Sequence, residues 1–136
     1  VGPILVEVGD RWESGDLRIA HEHACSAVTR GLLYSLMRLY PSNDSQRKLV
    51  VATPAHEDHE LGAMMVSMLG AMHGWNVLYL GPNLPAEEIA YAVRDTGSEL
   101  LLVSVTNLDD AAEFADALAA GDHLHQPDEH RRVAEA

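Results

Sequence analysis

The sequence predicts an α/β fold: a small parallel sheet flanked by helices and preceded by a helical N-terminal segment. Three observations carry this. From Lys48 onward, three short and continuously apolar runs alternate with helix-spaced segments, the pattern of βαβ units with buried strands. Before Lys48 there is no such run, and apolar residues recur at helical spacing. A hydrophobic fraction of 47% in 136 residues, with 22% charged residues, suits a globular chain able to bury a core.

Each element can be justified in order. In VGPILVEVGDRW, Pro3 suits a first helical turn, and Ile4, Leu5, Val8 and Trp12 share one helical face. Ser14-Gly15-Asp16 breaks the pattern and places Asp16 to cap a second helix. That helix runs through LRIAHEHACSAVTRGLLYSLMRLY, and its later half is apolar on more than one side, as expected of a helix packed between other elements. PSNDSQ reads as a linker. KLVVATP is the first strand, LGAMMVSMLGAMHGW a helix ending at Gly74, and NVLYLGP the second strand. PAEEIAYAVRDTG is a helix with Pro at its start and Gly at its end. SELLLVSVT is the third strand and DDAAEFADALAAG the last helix. The expected organisation is a helical segment at 1–41, an α/β domain at 48–120 and a polar tail at 121–136. The histidines of that tail, His123, His125 and His130, read as part of a solvated segment.

Composition narrows the function. Twenty-one acids against nine bases give a net charge of −12, a surface that repels phosphate backbones, so direct nucleic-acid contact by this chain is not expected. No apolar run approaches the roughly 18 residues of a membrane span. The single cysteine, Cys25, excludes an internal disulfide and fits a reducing cytoplasm.

Chemistry concentrates in PAHEDHELG, Pro54 to Gly62, at the carboxyl end of the first strand, where parallel sheets bind ligands. Imidazole is the commonest side-chain metal ligand, and its second ring nitrogen is usually fixed by a carboxylate or carbonyl. Glu57 lies two residues before His59, on the same side of an extended backbone, and Gly62 permits close approach to the helix start. The competing reading is a solvated turn whose acids suit a helix N-terminus. HEDHE has two residues between its histidines, so the three-residue spacing of zinc proteases is not met. His56 and His59 could form half of a zinc site, with no obvious completion elsewhere.

Glu57-x-His59-x-x-Gly62, followed by Ser104-Val105-Thr106, resembles the cobalamin-binding signature D-x-H-x-x-G…S-x-L. Tyr79 to Glu88 also resembles that family's loop-to-helix connection. The resemblance implies a flavodoxin-like, Rossmann-like cobalamin-binding fold with His59 as lower axial cobalt ligand. It further implies that Glu57 hydrogen-bonds the far ring nitrogen and that Ser104 extends the relay, with Asp58, Gly62 and Thr106 bordering the cofactor. Trp12, nine intervening residues and then Glu22-His23 resemble the W-x9-E-H motif of light-responsive cobalamin-dependent transcriptional regulators of the CarH type. There a helical cap covers the upper corrin face, which implies that Trp12, Ile19, Glu22 and His23 meet the upper ligand; Ile19, Glu22, His23 and Ser26 share one helical face.

The sequence departs from the pattern. Glu replaces Asp at 57, and Thr replaces Leu at 106. Glu13 follows Trp12 where the regulators carry a histidine that ligates cobalt after the upper ligand is lost. Two cap helices are visible rather than four, and the Gly-Gly pair expected about thirty residues after Ser104 is missing, as in a truncated domain. The expected function is a non-enzymatic, light-responsive sensor binding adenosylcobalamin, with methylcobalamin or hydroxocobalamin as alternative ligands. The alternatives are the corrinoid carrier of a methyltransferase or mutase, and a remnant that binds no cofactor. An exposed sheet edge would favour homo-oligomers.

Overall fold

The structure is a computed structural model that describes residues 2–40 and 47–123. The expected linker and the tail histidines His125 and His130 lie outside the described residues.

Helix α1 (Gly2–Glu13) and helix α2 (Ile19–Met37) form the N-terminal segment. A tight turn joins them: Gly15 takes φ +83°, the left-handed region glycine tolerates, and Leu17 N–H returns to Arg11 O at 3.0 Å. Asp16 does not cap α2 as the sequence suggested. It accepts from Ser14 Oγ at 3.3 Å inside the turn, and α2 starts three residues later. Its N-cap is Arg18, whose N–H donates to His21 Nδ1 at 3.3 Å. The apolar face expected on α1 is largely open, with Ile4 and Trp12 exposed and Val8 half-buried. The later half of α2 is only partly enclosed: Leu33 is buried and Leu36 and Met37 are half-buried, but Val28 and Leu32 are exposed, because α2 packs chiefly on the helix at residues 61–72 and more lightly on α1.

The α/β part comprises β1 (Lys48–Ala52), α3 (Leu61–Met72), β2 (Asn76–Tyr79), α4 (Ala86–Thr96), β3 (Leu100–Val103) and α5 (Leu108–His123). Among the described residues the sheet has three parallel strands in the order β2-β1-β3. Lys48 pairs with Asn76 on one side of β1, and Leu49 pairs with Leu100 on the other. The continuous apolar run of β1 is explained by this central place: from Leu49 to Ala52 it is buried. The outer strands are shorter than the sequence suggested, and Leu78 and Leu100 on them are exposed.

Strand periodicity sets the packing. Leu49 and Val51 turn toward Ala63 of α3 and join a core with Trp75, Val77, Tyr79 and Leu102, while Val50 and Ala52 point to the opposite face and are equally buried. Helix α3 can lie close because of Gly70, where a Cβ would meet Leu49 Cδ2 at 3.0 Å and Val77 Cγ2 at 3.1 Å. Gly97 ends α4 in the left-handed conformation, φ +62°, and Lys48 Nζ donates to Thr96 O at 2.7 Å in the same last turn.

Candidate functional site

All three strands run parallel, so their carboxyl ends open at one edge, where the β1–α3 loop, the β2–α4 loop and the residues after β3 converge. The β1–α3 loop is PAHEDHE. Glu57 is only 4% exposed, whereas the side chain of His59 is 78% exposed. Glu57 Oε1 accepts from the His59 backbone N–H at 2.9 Å and lies 2.6 Å from His59 Nδ1. The buried carboxylate therefore accepts a hydrogen bond from Nδ1–H and leaves Nε2, with its lone pair, directed away from Glu57.

The other carboxylate oxygen reaches across to the β3 end. Glu57 Oε2 accepts from Thr106 N–H at 2.8 Å and from Thr106 Oγ1 at 2.5 Å. Burial pushes the Glu57 carboxyl up, but the Thr106 hydroxyl, the His59 and Thr106 backbone N–H groups and the His59 ring together outweigh it. The result is a pKa lowered from 4.5 to about 2, so the carboxylate stays charged and the imidazole stays oriented at neutral pH.

The signature residues separate into two groups here. Glu57, His59 and Thr106 form one hydrogen-bonded unit. Ser104 does not continue it: its Oγ sits where a Cβ on Gly62 would come within 3.0 Å, so the close approach that Gly62 permits is that of Ser104. The relay expected at Ser104 is made two residues later because the glutamate side chain extends to Thr106.

Asn83 was not singled out from the sequence. Its Oδ1 accepts from His56 N–H at 2.9 Å, its Nδ2 donates to Asp58 Oδ1 at 3.2 Å, and its own N–H donates to Thr53 Oγ1 at 2.9 Å. The Thr53 hydroxyl in turn donates to Glu57 O at 2.6 Å, and Pro54 bridges to Leu84. Asn83 and His56 are the two non-glycine residues with positive φ, +61° and +69°, among the described residues. Left-handed backbone is uncommon outside glycine and least so for Asn, so the β2–α4 loop holds the histidine loop in a conformation it would not otherwise keep. The signal in the sequence was the P-N-L-P run, a turn between two prolines. Asp58, which borders the candidate cofactor in the sequence reading, is exposed and braced by Asn83.

On the helical segment, Ser26 Oγ donates to Glu22 Oε1 at 2.6 Å, one turn apart, and His23 Nδ1 lies 3.8 Å from Glu22 Oε2. Trp12 and Ile19 are 49% and 62% exposed. These residues are thus presented on the helices without joining the Glu57–His59 unit. Among the described residues no group of three or more His, Cys, Asp or Glu side chains could hold a bare metal ion, and no helix is long and apolar enough to cross a membrane. A lone imidazole with one oriented nitrogen suits a metal that brings its other ligands with it.

Residues 1–36 match the family described as the B12 binding domain. The HTH-type transcriptional repressor CarH of Myxococcus xanthus is 32% identical over 118 residues, 87% of this chain and 39% of that protein. The repressor CarA of the same organism is 27% identical over 116 residues, 85% of this chain and 38% of that protein. The chain thus spans about two-fifths of the length of these curated relatives. A solved structure, described as a novel cobalamin-binding protein from Desulfitobacterium hafniense DCB-2, superposes with a TM-score of 0.51 at 24% identity, covering 87% of this chain and 57% of that one. The α/β fold with its N-terminal helices is therefore similar to that of a cobalamin-binding protein, and residues 1–36 of the chain match the B12 binding domain family.

Proposed function

We propose that this chain binds a cobalamin between its N-terminal helices and the carboxyl edge of its sheet, as the sensor module of a transcriptional regulator rather than as an enzyme. The observation that carries the reading is the Glu57–His59 pair: a buried carboxylate 2.6 Å from Nδ1 of an exposed imidazole whose Nε2 is open. A cobalamin bound there would bring its metal already held by the macrocycle, so one oriented imidazole is what the protein would need to supply. The relation to repressors and the Trp12…Glu22-His23 motif support the regulatory role.

In this reading His59 Nε2 would ligate the cobalt, Glu57 would keep the imidazole in the required tautomer, and Thr106 would fix Glu57. Gly62 and Ser104, in close contact, shape the wall beside the ligand, and Asp58 lies at its rim. Trp12, Ile19, Glu22 and His23 face the upper ligand. Adenosylcobalamin is the preferred form, because an exposed Trp and Ile beside polar Glu22 and His23 suit a nucleoside with an apolar base and a hydroxylated sugar. When bound, the cofactor supplies a cobalt–carbon bond that light can break. Position 13 carries an acid, so that position would offer no second imidazole to the cobalt. Output to DNA would need a further domain, since this chain is strongly acidic.

Mixing the protein with adenosylcobalamin in the dark tests this. Co-elution on gel filtration and a histidine-ligated visible spectrum that His59→Ala loses are expected. Absence of co-elution refutes the reading. Illumination of the complex should then change its spectrum or its oligomeric state.

A further inference from the structure

Helix α2 is 19 residues long, yet Leu33 is its one buried residue, and its first two turns carry none. The second fixed point is polar. The Glu60 carboxylate, 7% exposed, sits where α2, α3 and β2 meet. Its Oε1 accepts from Arg30 Nε of α2, and its Oε2 accepts from the Tyr79 hydroxyl at 2.6 Å. Burial, and then the hydrogen bond to Glu60, hold the Tyr79 phenol protonated well above its usual range, so Tyr79 is the donor. The Tyr79 ring also lies 6.3 Å from that of Tyr34, on α2.

Two positions give this cluster reach. Glu60 follows His59 directly and is the N-cap residue of α3, so it belongs to the same loop as the candidate cobalt ligand. Arg30 stands four residues after Ser26 and eight after Glu22, so it shares their helical face. The apolar anchoring of α2 is concentrated from Leu33 to Met37, with Tyr34 against Tyr79, so its N-terminal half could pivot; a tilt of about 10° would move Glu22, roughly 16 Å along the axis from Leu33, by about 3 Å. Arg30 on Glu60 resists that tilt, because a buried carboxylate that loses its cation leaves a charge supported by Tyr79 alone.

We propose that Arg30 is a positioning residue for the upper side of the site: paired with Glu60, it fixes the height of the Glu22–His23 face over the His59 loop and so sets the preference for a cobalamin with a bulky upper ligand. This deepens the cobalamin reading and rests on it. A large organic upper ligand needs the α2 face at one distance, whereas a water or hydroxide ligand touches it little. The Arg30–Glu60 contact therefore contributes to selectivity and hardly at all to ligation by His59.

The test compares Arg30→Met, which keeps the apolar stem, with the unaltered protein in dark titrations with adenosylcobalamin and with hydroxocobalamin. Adenosylcobalamin should bind on the order of tenfold more weakly to Arg30→Met and hydroxocobalamin within about threefold of the unaltered protein, with the His59-ligated spectrum kept. Equal losses for both ligands, or an unchanged ratio, overturn the proposal. Arg30→Lys, which keeps the charge but not the fork of the guanidinium, should fall between the two and serves where Arg30→Met does not fold. A ligand-free arm separates this proposal from the binding reading. Amide hydrogen exchange should rise at residues 20–26 of Arg30→Met while residues 33–37 stay protected, and uniform exchange along α2 refutes the anchor. If the unaltered protein binds neither cobalamin, the binding reading and the selectivity fall together, and the exchange result still decides whether Arg30 holds α2.

Discussion

Replacing Glu57 by Gln is the most informative single perturbation of the candidate site, because it preserves shape and removes acceptors. The carboxylate accepts four hydrogen bonds: at Oε1 from His59 N–H and the His59 ring, and at Oε2 from Thr106 N–H and Thr106 Oγ1. An amide has one accepting oxygen, and its nitrogen only donates. With the oxygen toward His59, the Thr106 hydroxyl can rotate to accept from the amide, but Thr106 N–H loses its partner. With the oxygen toward Thr106, the imidazole can accept at Nδ1 by moving its proton to Nε2, but His59 N–H loses its partner. Either orientation orphans one backbone donor and turns charge-assisted bonds into neutral ones. An unpaired buried donor costs about 1–3 kcal/mol; His59 and Thr106 are both exposed residues, so water relieves part of this. The expected net loss is about 2 kcal/mol, equivalent to roughly 5–8 °C in Tm for a chain of this size.

Urea denaturation followed by far-ultraviolet circular dichroism at pH 7 measures the loss, and 15N correlation spectra of the His59 ring report its tautomer. In the unaltered protein the ring should carry its proton on Nδ1. In Glu57→Gln the midpoint should fall, and the Nδ1–H form should lose its dominance wherever the second amide orientation is populated. An unchanged midpoint together with an unchanged tautomer would refute the argument, since it would mean that the four bonds neither support the loop nor orient the imidazole.

The same carboxylate predicts an acid limb: with its pKa lowered from 4.5 to about 2, the stability it contributes is complete above pH 4.5 and drains away as pH falls toward 2, so midpoints measured from pH 6 to 2 should drop more steeply for the unaltered protein than for Glu57→Gln. Gly62→Ala should be mildly destabilising, by about 1 kcal/mol, because the new Cβ meets Ser104 Oγ at 3.0 Å. Adding Ser104→Ala should turn that into a gain from helix propensity, read as a rise in Tm above that of Ser104→Ala alone. Asn83→Ala should lose about 2 kcal/mol, since the His56 N–H bond goes and alanine must hold φ +61°; Asn83→Gly, which tolerates that φ, should lose about half as much in the same urea assay. Thr106→Val keeps the backbone bond to Glu57 and deletes the hydroxyl, so the Glu57 carboxyl should titrate higher in carboxyl-carbon NMR, and no movement would rule out the hydroxyl as a support.

Much of the fold was legible because burial leaves a periodic trace. The β1 run is apolar without alternation, as a central parallel strand must be, and Gly97 and Pro85 mark both ends of α4 by backbone preference alone. What escaped was set by partners distant in sequence. Asp16 looked like a cap, but the position of Gly15 and the reach of His21 moved the helix start to Ile19. The apolar later half of α2 predicted a helix packed between other elements; it does pack on α3 and, more lightly, on α1, yet Val28 and Leu32 stay exposed. At the site, Glu57 and His59 were readable because they lie two residues apart. Asn83 was not, since its three bonds join residues 25 to 30 positions away and leave no local pattern.

The two departures from the signature on either side of His59 have one structural explanation. Glutamate at 57 is longer than aspartate by one methylene, and threonine at 106 replaces an apolar leucine with a hydroxyl. Taken singly, each would disturb the site: a longer acid near His59 would overshoot a partner at Ser104, and a hydroxyl at 106 would stand without one. In the structure Glu57 reaches Thr106, whose hydroxyl and N–H both donate to its Oε2. Ser104 is then free to pack against Gly62. The carboxylate keeps the same duty toward His59 Nδ1 while its support moves two residues along the chain after β3. A shorter acid at 57 would strand Thr106, and an apolar residue at 106 would leave a buried glutamate oxygen with only a backbone donor. Positions 57 and 106 therefore act as a pair, and the orientation of His59 depends on both.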